Sequence, residues 1–202
     1  MILKRCLPLI TAMILLSGCS LGGSSVDELT DTFRDKWDRL EQQQSKVAIL
    51  ADYGDRAYRY EALTEGNEDT GRLTVTAPEN IAGTGTAWQD GQTLLEYDGI
   101  WLETGTLSPD GLSPADSLSV IFDACRRGVV VEQGLTDWAE EEQALYLLTE
   151  NPRTNAEESR IALWSDPETG CLHQAEIYWG GERVIHITFS EMSLTLAEEE
   201  TD

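Results

Sequence analysis

The chain alternates apolar and polar residues over most of its length, and turn signals interrupt this alternation roughly every eight to twelve residues. Four such signals are Gly54-Asp55, Asp90-Gly91, Asp98-Gly99 and Gly180-Gly181. Each separates short runs rich in β-branched and aromatic residues, which is typical of a β-hairpin. The pattern predicts strands at 46–53, 56–64, 71–77, 82–89, 92–97, 100–104, 129–133, 136–141, 144–149, 159–165, 171–179 and 183–190. A long antiparallel meander follows from this spacing.

An amphipathic helix is predicted ahead of the meander. Ser25 and Glu28 form a capping box, a signal for the start of a helix. Apolar residues then recur at three- and four-residue spacing and form one face. They are Val26, Leu29, Phe33, Trp37 and Leu40. The other face carries the charged residues Asp31, Arg34, Asp35, Asp38 and Glu41.

A second helix is predicted in the middle of the chain. Ser113 caps it, Pro114 occupies its first turn, and Arg126, Arg127 and Gly128 end it. Its apolar stripe consists of Leu118, Ile121, Phe122 and Cys125. A twisted open sheet of more than about ten strands curls, so we expect the two helices to cover its concave face. The predicted fold class is mainly β with two helices (α+β).

The N-terminal residues have the pattern of a lipoprotein signal peptide. Lys4 and Arg5 precede an apolar stretch that ends in Leu16-Ser17-Gly18-Cys19, a match to a lipobox. The stretch is shorter than the about 20 residues that a membrane-spanning helix needs. The sequence therefore predicts a signal peptide at 1–18 and a lipid, such as palmitate, on Cys19; a plain secretory signal is the alternative.

This assignment divides the chain into four parts. A lipidated tether at 19–25 follows the signal peptide, a single folded domain occupies 26–196, and an acidic tail occupies 197–202. Loss of residues 1–18 leaves 12 of the 14 basic residues against 37 acidic ones, which moves the formal net charge from −23 to −25. Such a surface repels nucleic acid and anionic headgroups, so we expect no nucleic-acid partner.

Two cysteines remain in the predicted domain, Cys125 and Cys171. In an exported protein they can form a disulfide. Each also lies in an apolar pattern, where a buried free thiol serves as a small hydrophobic side chain. Both alternatives stay open at the level of the sequence.

The lipobox, the leading helix and the two meanders around a middle helix together resemble the LolA/LolB superfamily of lipoprotein-sorting carriers. Residues 71–83, with Trp88-Gln89-Asp90-Gly91 and Leu95-Glu96-Tyr97-Asp98-Gly99, are similar to the central strands of diverged lipidated members in Gram-positive bacteria. Those relatives include a spore germination lipoprotein that supports a cortex-processing amidase. The resemblance implies an unclosed half-barrel of about 11 strands with a helical lid.

The same resemblance implies an apolar cavity between the sheet and the lid, which in the sorting carriers receives acyl chains. Apolar side chains that share one face of their strand are the predicted sheet wall, and the stripe of the middle helix is the predicted cover. The wall residues are Tyr58, Tyr60, Leu73, Val75, Leu95 and Tyr97, and the cover residues are Leu118, Ile121 and Phe122. An ordinary filled core is the alternative for each of them.

Residues suited to catalysis are few. The two histidines are His173 and His186. Cys171 and His173 are two positions apart on one predicted strand and face the same way, but buried core positions explain them better than a dyad. His186 is predicted to face solvent. Neither Cys-x-x-Cys nor His-Glu-x-x-His spacing is present, so we expect neither a metal site nor a cofactor.

Two functions remain. The first is a non-enzymatic, membrane-anchored extracytoplasmic lipoprotein that binds a hydrophobic ligand or lipid in the half-barrel. The second is a lipoprotein that holds or activates a cell-envelope hydrolase acting on cortex or peptidoglycan.

Overall fold

A computed structural model describes residues 25–89, 92–103, 112–139, 142–154 and 158–198. Two α-helices are described, α1 (Val26–Asp38) and α2 (Pro114–Arg127), with a short 3-10 helix at Glu79–Ile81. The described strands are β1 (Leu40–Asp52), β2 (Ala57–Gly66), β3 (Thr70–Ala77), β4 (Gly85–Gln89), β5 (Gln92–Tyr97), β6 (Ile100–Glu103), β7 (Val130–Asp137), β8 (Gln143–Glu150), β9 (Ser159–Ser165), β10 (Leu172–Trp179) and β11 (Glu182–Leu196). The signal peptide, Cys19, the tether up to residue 24, the Asp90-Gly91 turn and the tail from residue 199 lie outside the described residues.

The strands form one antiparallel sheet of 11 strands in the order β6-β5-β4-β3-β2-β1-β11-β10-β9-β8-β7. The two meanders therefore join through the pair of β1 and β11, and β6 and β7 lie at opposite ends of the sheet. Helices line one face, which we call the inner face. The fold class predicted from the sequence, a mainly β half-barrel with a helical lid, is confirmed.

Helix α2 lies inside the curved sheet and connects its two ends. The chain leaves β6 at one end, passes through α2, and enters β7 at the other end. Every residue from Asp116 to Cys125 is buried, which is the behaviour of a helix surrounded on all sides. Its length of 14 residues corresponds to about 21 Å of helix. Helix α2, the predicted lid, therefore fills the concave side of the sheet rather than only covering it.

Helix α1 packs against α2 and one rim of the sheet. Phe33 and Trp37 are buried, and the Trp37 ring lies 5.5 Å from the Phe122 ring, centroid to centroid. Trp37 Nε1 donates a hydrogen bond to the Gly170 carbonyl oxygen at 3.1 Å. The Ser25–Glu28 capping box is present. Residues 25–198 contain both helices, all described strands and one common core, so we expect them to fold without residues 1–24.

The boundary between α1 and β1 differs from the sequence prediction. The helix ends at Asp38, and Leu40 and Glu41, which were predicted on the helix, begin β1 instead. The strand begins six residues before the predicted 46–53. Its early inward-facing positions are polar, Gln43 and Ser45, and they bond to each other at 3.1 Å. Because no apolar alternation marks this segment, the pattern missed it.

The second meander has five strands, not the six predicted. The segments 129–133 and 136–141 form one strand, β7, because Gly134 stays within the ladder opposite Tyr146. The predicted strand 82–89 is also shorter and begins at Gly85, after the 3-10 helix and a turn at Gly83 (φ +86°). No helix among the described residues is long and apolar enough to cross a membrane.

Candidate functional site

An apolar groove lies on the inner face of the sheet beyond the N-terminal end of α2. It has a volume of about 390 Å³, within the range of about 300–1,000 Å³ of small-molecule sites. Its apolar side chains come from β1, β2, β3, β5, β6 and the 3-10 helix. They are Ile49, Tyr60, Leu73, Val75, Ile81, Leu95, Tyr97 and Leu102, and Pro114 and Ala115 of α2 contribute to one end. We call this site the groove.

The strand register explains why these side chains meet. Leu73 of β3 pairs with Thr86 of β4, which pairs with Leu95 of β5, which pairs with Leu102 of β6. Directly paired residues point to the same face of a sheet. The four side chains therefore form a row across the inner face, and α2 covers this part of the sheet only at its N-terminal turn.

Tyrosines occupy the rim of the groove. Tyr60 is half-buried and lines it, whereas Tyr97 is 66% exposed at its open side. Burial, together with the neighbouring Tyr58, raises the pKa of Tyr60 above its usual value. Burial and the same tyrosine cluster also raise the pKa of Tyr53, whose hydroxyl donates to the Leu112 carbonyl oxygen at 2.7 Å. The Tyr53 and Tyr60 phenols are therefore uncharged hydrogen-bonding groups at neutral pH.

Among the predicted wall residues, Tyr60, Leu73, Val75, Leu95 and Tyr97 line the groove. Tyr58 lies beside it, 41% exposed, with its ring centroid 6.2 Å from that of Tyr53. The part each plays toward a ligand stays a prediction.

The predicted cover residues lie elsewhere. Leu118, Ile121 and Phe122 are fully buried and pack into the core. The space directly under α2 is therefore filled, and the hollow part lies beyond the first turn of the helix. The sequence prediction also missed Ile81, Thr86 and Leu102. Leu102 carried the period-two signal, but the other two positions carried none that singled them out.

The two cysteines are free in the structure. Cys125 is buried on α2, and burial raises the pKa of its thiol well above the usual value. Burial also raises the pKa of the Cys171 thiol, whose Sγ lies 3.5 Å from the Met192 carbonyl oxygen. Both thiols are held in the protonated form, which is the weak nucleophile.

The histidines have other contacts. The His173 ring stacks on Trp138, with 5.1 Å between centroids. His186 lies on the outer face as predicted, but it is half-buried, because its Nδ1 bonds to Glu176 Oε1 at 2.9 Å. Within the described ranges, no three His, Cys, Asp or Glu side chains are close enough to hold a metal ion.

A second depression of the same volume lies on the outer face, and its walls are of a different kind. Its lining includes Lys46 and Glu191, which form an ion pair at 2.6 Å, and Gln44, Glu65 and Arg72. Its side chains are largely polar or charged, and Lys46, Glu191 and Arg72 form ion pairs, so the groove is the better candidate for an apolar ligand.

No known family model matches the chain, and no curated protein matches it significantly. Solved structures do match. A LolA superfamily protein from Nitrosomonas europaea aligns with a TM-score of 0.46 and 13% identity, over 84% of this chain and 94% of that one. The chain is similar in structure to LolA superfamily proteins.

Two further solved structures also align with the chain. LprF from Mycobacterium bovis aligns with a TM-score of 0.44 and 12% identity, over 88% of this chain and 99% of its own. The structure of the CwlD amidase from Clostridioides difficile in complex with the GerS lipoprotein aligns with a TM-score of 0.41 and 14% identity, over 84% of this chain and 96% of the matched one. These likenesses concern the fold alone and assign no role to any residue.

Proposed function

We propose that this protein is a membrane-anchored, extracytoplasmic lipoprotein that binds a hydrophobic ligand, such as an acyl chain, in the groove and catalyses no reaction. The observation that carries the proposal is the groove itself. Its wall combines apolar side chains from several strands, and α2 leaves it uncovered. Apolar surface that stays in contact with water carries a free-energy cost of about 25 cal/mol per Å², and an apolar ligand removes that cost.

The chemistry of the remaining side chains supports binding over catalysis. The free thiols are protonated, and the two histidines are engaged with Trp138 and Glu176. A nucleophile needs an adjacent base to be activated, and the groove lining contains neither cysteine nor histidine.

Lipid binding is tested with a soluble form of the protein that starts at Ser24. Native mass spectrometry and organic extraction of the purified protein should reveal co-purifying lipid. Leu95→Glu places a carboxylate in the groove wall and should abolish that lipid, whereas Leu63→Glu, on the outer face of β2, should retain it. If the unaltered protein carries no lipid and takes up none from added lipid, the proposal is wrong.

The anchor is tested separately in cells. Cys19→Ala removes the thiol that the lipobox predicts as the lipid attachment site. The unaltered chain should fractionate with membranes, and the variant should move to the soluble extracytoplasmic fraction or accumulate with its signal peptide. If the variant stays in the membrane fraction in processed form, the lipidation at Cys19 is refuted.

A second candidate function is that of a lipoprotein that holds or activates a cell-envelope hydrolase. Strand β7 supports it, because among the described strands it ends the sheet and pairs only with β8. Four apolar residues on β7 or directly beside it are exposed: Val129, Val131, Leu135 and Trp138 are 63%, 51%, 40% and 37% exposed. An exposed edge strand with apolar side chains is a template for an added strand from a partner.

This alternative predicts that a peptidoglycan hydrolase co-purifies from membrane extracts of the native host. The double variant Val131→Glu with Leu135→Glu should lose the hydrolase, while Leu63→Glu should retain it. Recovery of the hydrolase with the β7 double variant would exclude this edge as the binding surface.

A further inference from the structure

One polar side chain in the groove has no hydrogen-bond partner. Thr86 on β4 is 6% exposed, and its Oγ1 is buried without a partner among the described residues. A buried hydroxyl normally bonds to a neighbouring group, since leaving it unpaired is unfavourable. Thr84, which also lines the groove, follows this rule, because its Oγ1 donates to the Ile81 carbonyl oxygen at 2.8 Å. The Thr86 hydroxyl is thus the unfilled hydrogen-bonding position of the groove wall.

Positive charge is missing from the groove. Among the described residues its lining contains no lysine, arginine or histidine, and the one carboxylate among them, Glu96, is paired with Arg72 of the outer face. An anionic ligand would therefore be desolvated without a cation to pair with, which is strongly unfavourable.

The N-terminus of α2 does not replace a cation. Its first amides are already engaged: Ala115 N donates to Ser113 Oγ at 3.3 Å, and Asp116 N donates to the Ser113 carbonyl oxygen at 3.0 Å. The Asp116 side chain adds a carboxylate within the same turn, where it accepts a hydrogen bond from Thr93. An anion that approached this end of the groove would find occupied donors and a negative side chain.

We propose that the groove selects an uncharged amphiphile whose hydrogen-bonding group, an ester or a hydroxyl, bonds to Thr86 Oγ1 while its hydrocarbon chain covers the apolar row. This inference rests on the proposed ligand-binding function and narrows the class of ligand. Neutral glycerides belong to that class, and free fatty-acid anions do not.

The experiment compares two probes with the same 18-carbon chain, monoolein and oleate, at pH 8 and below their aggregation concentrations. Delipidated soluble chain starting at Ser24 is titrated by calorimetry. We expect monoolein to bind at least about tenfold more tightly than oleate, a difference of about 1.4 kcal/mol. Equal affinities, or a preference for oleate, would overturn the selectivity while leaving the binding function intact; binding of neither probe would overturn both.

Thr86 is tested with a matched pair of variants. Thr86→Val removes the unpaired hydroxyl at nearly constant volume and should weaken monoolein binding about three- to tenfold, the usual effect of one hydrogen bond. Thr149→Val, on β8 outside the groove, removes a buried hydroxyl that is already bonded to the Ile161 carbonyl oxygen at 3.3 Å, and it should change the affinity less than about twofold. In the absence of lipid, Thr86→Val should unfold at the same or a higher temperature than the unaltered chain. Unchanged monoolein affinity in a folded Thr86→Val protein would refute the role of this hydroxyl.

Discussion

At the scale of single residues, Asp123 is a carboxylate with no exposed surface. It is held by Arg127 from its own helix and by Arg153 from the β8–β9 loop, whose Nε lies 2.9 Å from Asp123 Oδ2. Arg153 also donates to the Ser119 hydroxyl and carbonyl oxygens, at 3.1 and 3.0 Å. The pair therefore fixes the loop to α2.

We expect Asp123→Asn to reduce the free energy of unfolding by about 2–3 kcal/mol, because the mostly buried Arg153 loses its counter-charge. Arg127→Gln should cost less than about 1 kcal/mol, since the Arg127 side chain is 63% exposed. Urea denaturation of the three proteins measures both effects. Equal losses in the two variants would show that Arg153 does not depend on this carboxylate.

Glu176 predicts a dependence of stability on pH. Burial raises the pKa of this outer-face carboxyl, but hydrogen bonds from Tyr178, Arg183 and His186 outweigh it and lower the pKa below the usual value of 4.5. Because the folded pKa lies below the unfolded one, the stabilisation is complete above about pH 5 and is lost as the pH falls through the folded pKa. The same contact, with burial, raises the pKa of Tyr178 to about 12, so its hydroxyl stays a donor throughout this range.

The measurement is the urea midpoint between pH 7 and pH 3. The unaltered chain should lose stability more steeply than Glu176→Gln below pH 5, and the two curves should converge at the acid end. Glu61→Gln, a change at an exposed position of the outer face, should follow the unaltered chain. Parallel curves for the unaltered chain and Glu176→Gln would contradict the predicted linkage.

At the scale of elements, α2 determines how much of the concavity is hollow. Phe122 is fully buried, and its ring centroid lies 5.5 Å from that of Trp37 and 6.2 Å from that of Trp88. It thereby joins α1, α2 and β4. Phe122→Ala should destabilise the fold by about 3–5 kcal/mol in denaturant unfolding. Leu63→Ala on the outer face should change stability by less than about 0.5 kcal/mol, and a similarly small loss at Phe122 would mean that α2 is not a structural plug.

The helices and most of the strands were predictable because their burial follows a simple period. The capping box at Ser25 and the Ser113-Pro114 start of α2 were read correctly. The hydrogen-bond partners of Arg34 were not predicted, because a charged residue on a polar helix face carries no signal for its partner. Its guanidinium donates to the Ala124 and Cys125 carbonyl oxygens, both at 2.8 Å, at the C-terminal end of α2. Such a contact depends on how two helices cross, which no local pattern encodes.

The sequence predicted most of the side chains that form the wall of the groove, but it did not predict where along the sheet the groove lies. Alternation in β3 and β5 identified Leu73 and Leu95 as inward-facing. The sequence did not show that α2 would fill the concavity along most of its length, because an apolar stripe has the same pattern whether it covers a hollow or packs into a core. Thr86 was missed for a related reason. What distinguishes it is a buried hydroxyl without a hydrogen-bond partner, and a sequence pattern does not show whether a side chain is paired.

At the scale of the whole molecule, the chain crosses its own sheet once. The β1 and β11 strands join the two meanders at the centre, and α2 spans the concavity between the outer ends. In the part of the chain that the structure describes, β6 and β7 are the two edge strands of the sheet. The groove lies in the half that contains β6, and Val131 and Leu135 lie on β7. The two proposed functions, ligand binding and partner binding, would therefore use opposite ends of the sheet, and neither would exclude the other.

Net charge supplies the last prediction at this scale. With 37 acidic residues against 14 basic ones, the folded chain repels itself. Raising NaCl from 0.01 to 0.1 M shortens the screening length from about 30 to about 10 Å, which weakens this repulsion more than it weakens close ion pairs such as Arg160 with Glu150 at 3.1 Å. We expect the free energy of unfolding to rise by about 1 kcal/mol, which corresponds to a Tm higher by about 2–4 °C. The same rise in KCl would identify screening as the cause, whereas a Tm that falls with salt would mean that the surface ion pairs outweigh the excess of carboxylates.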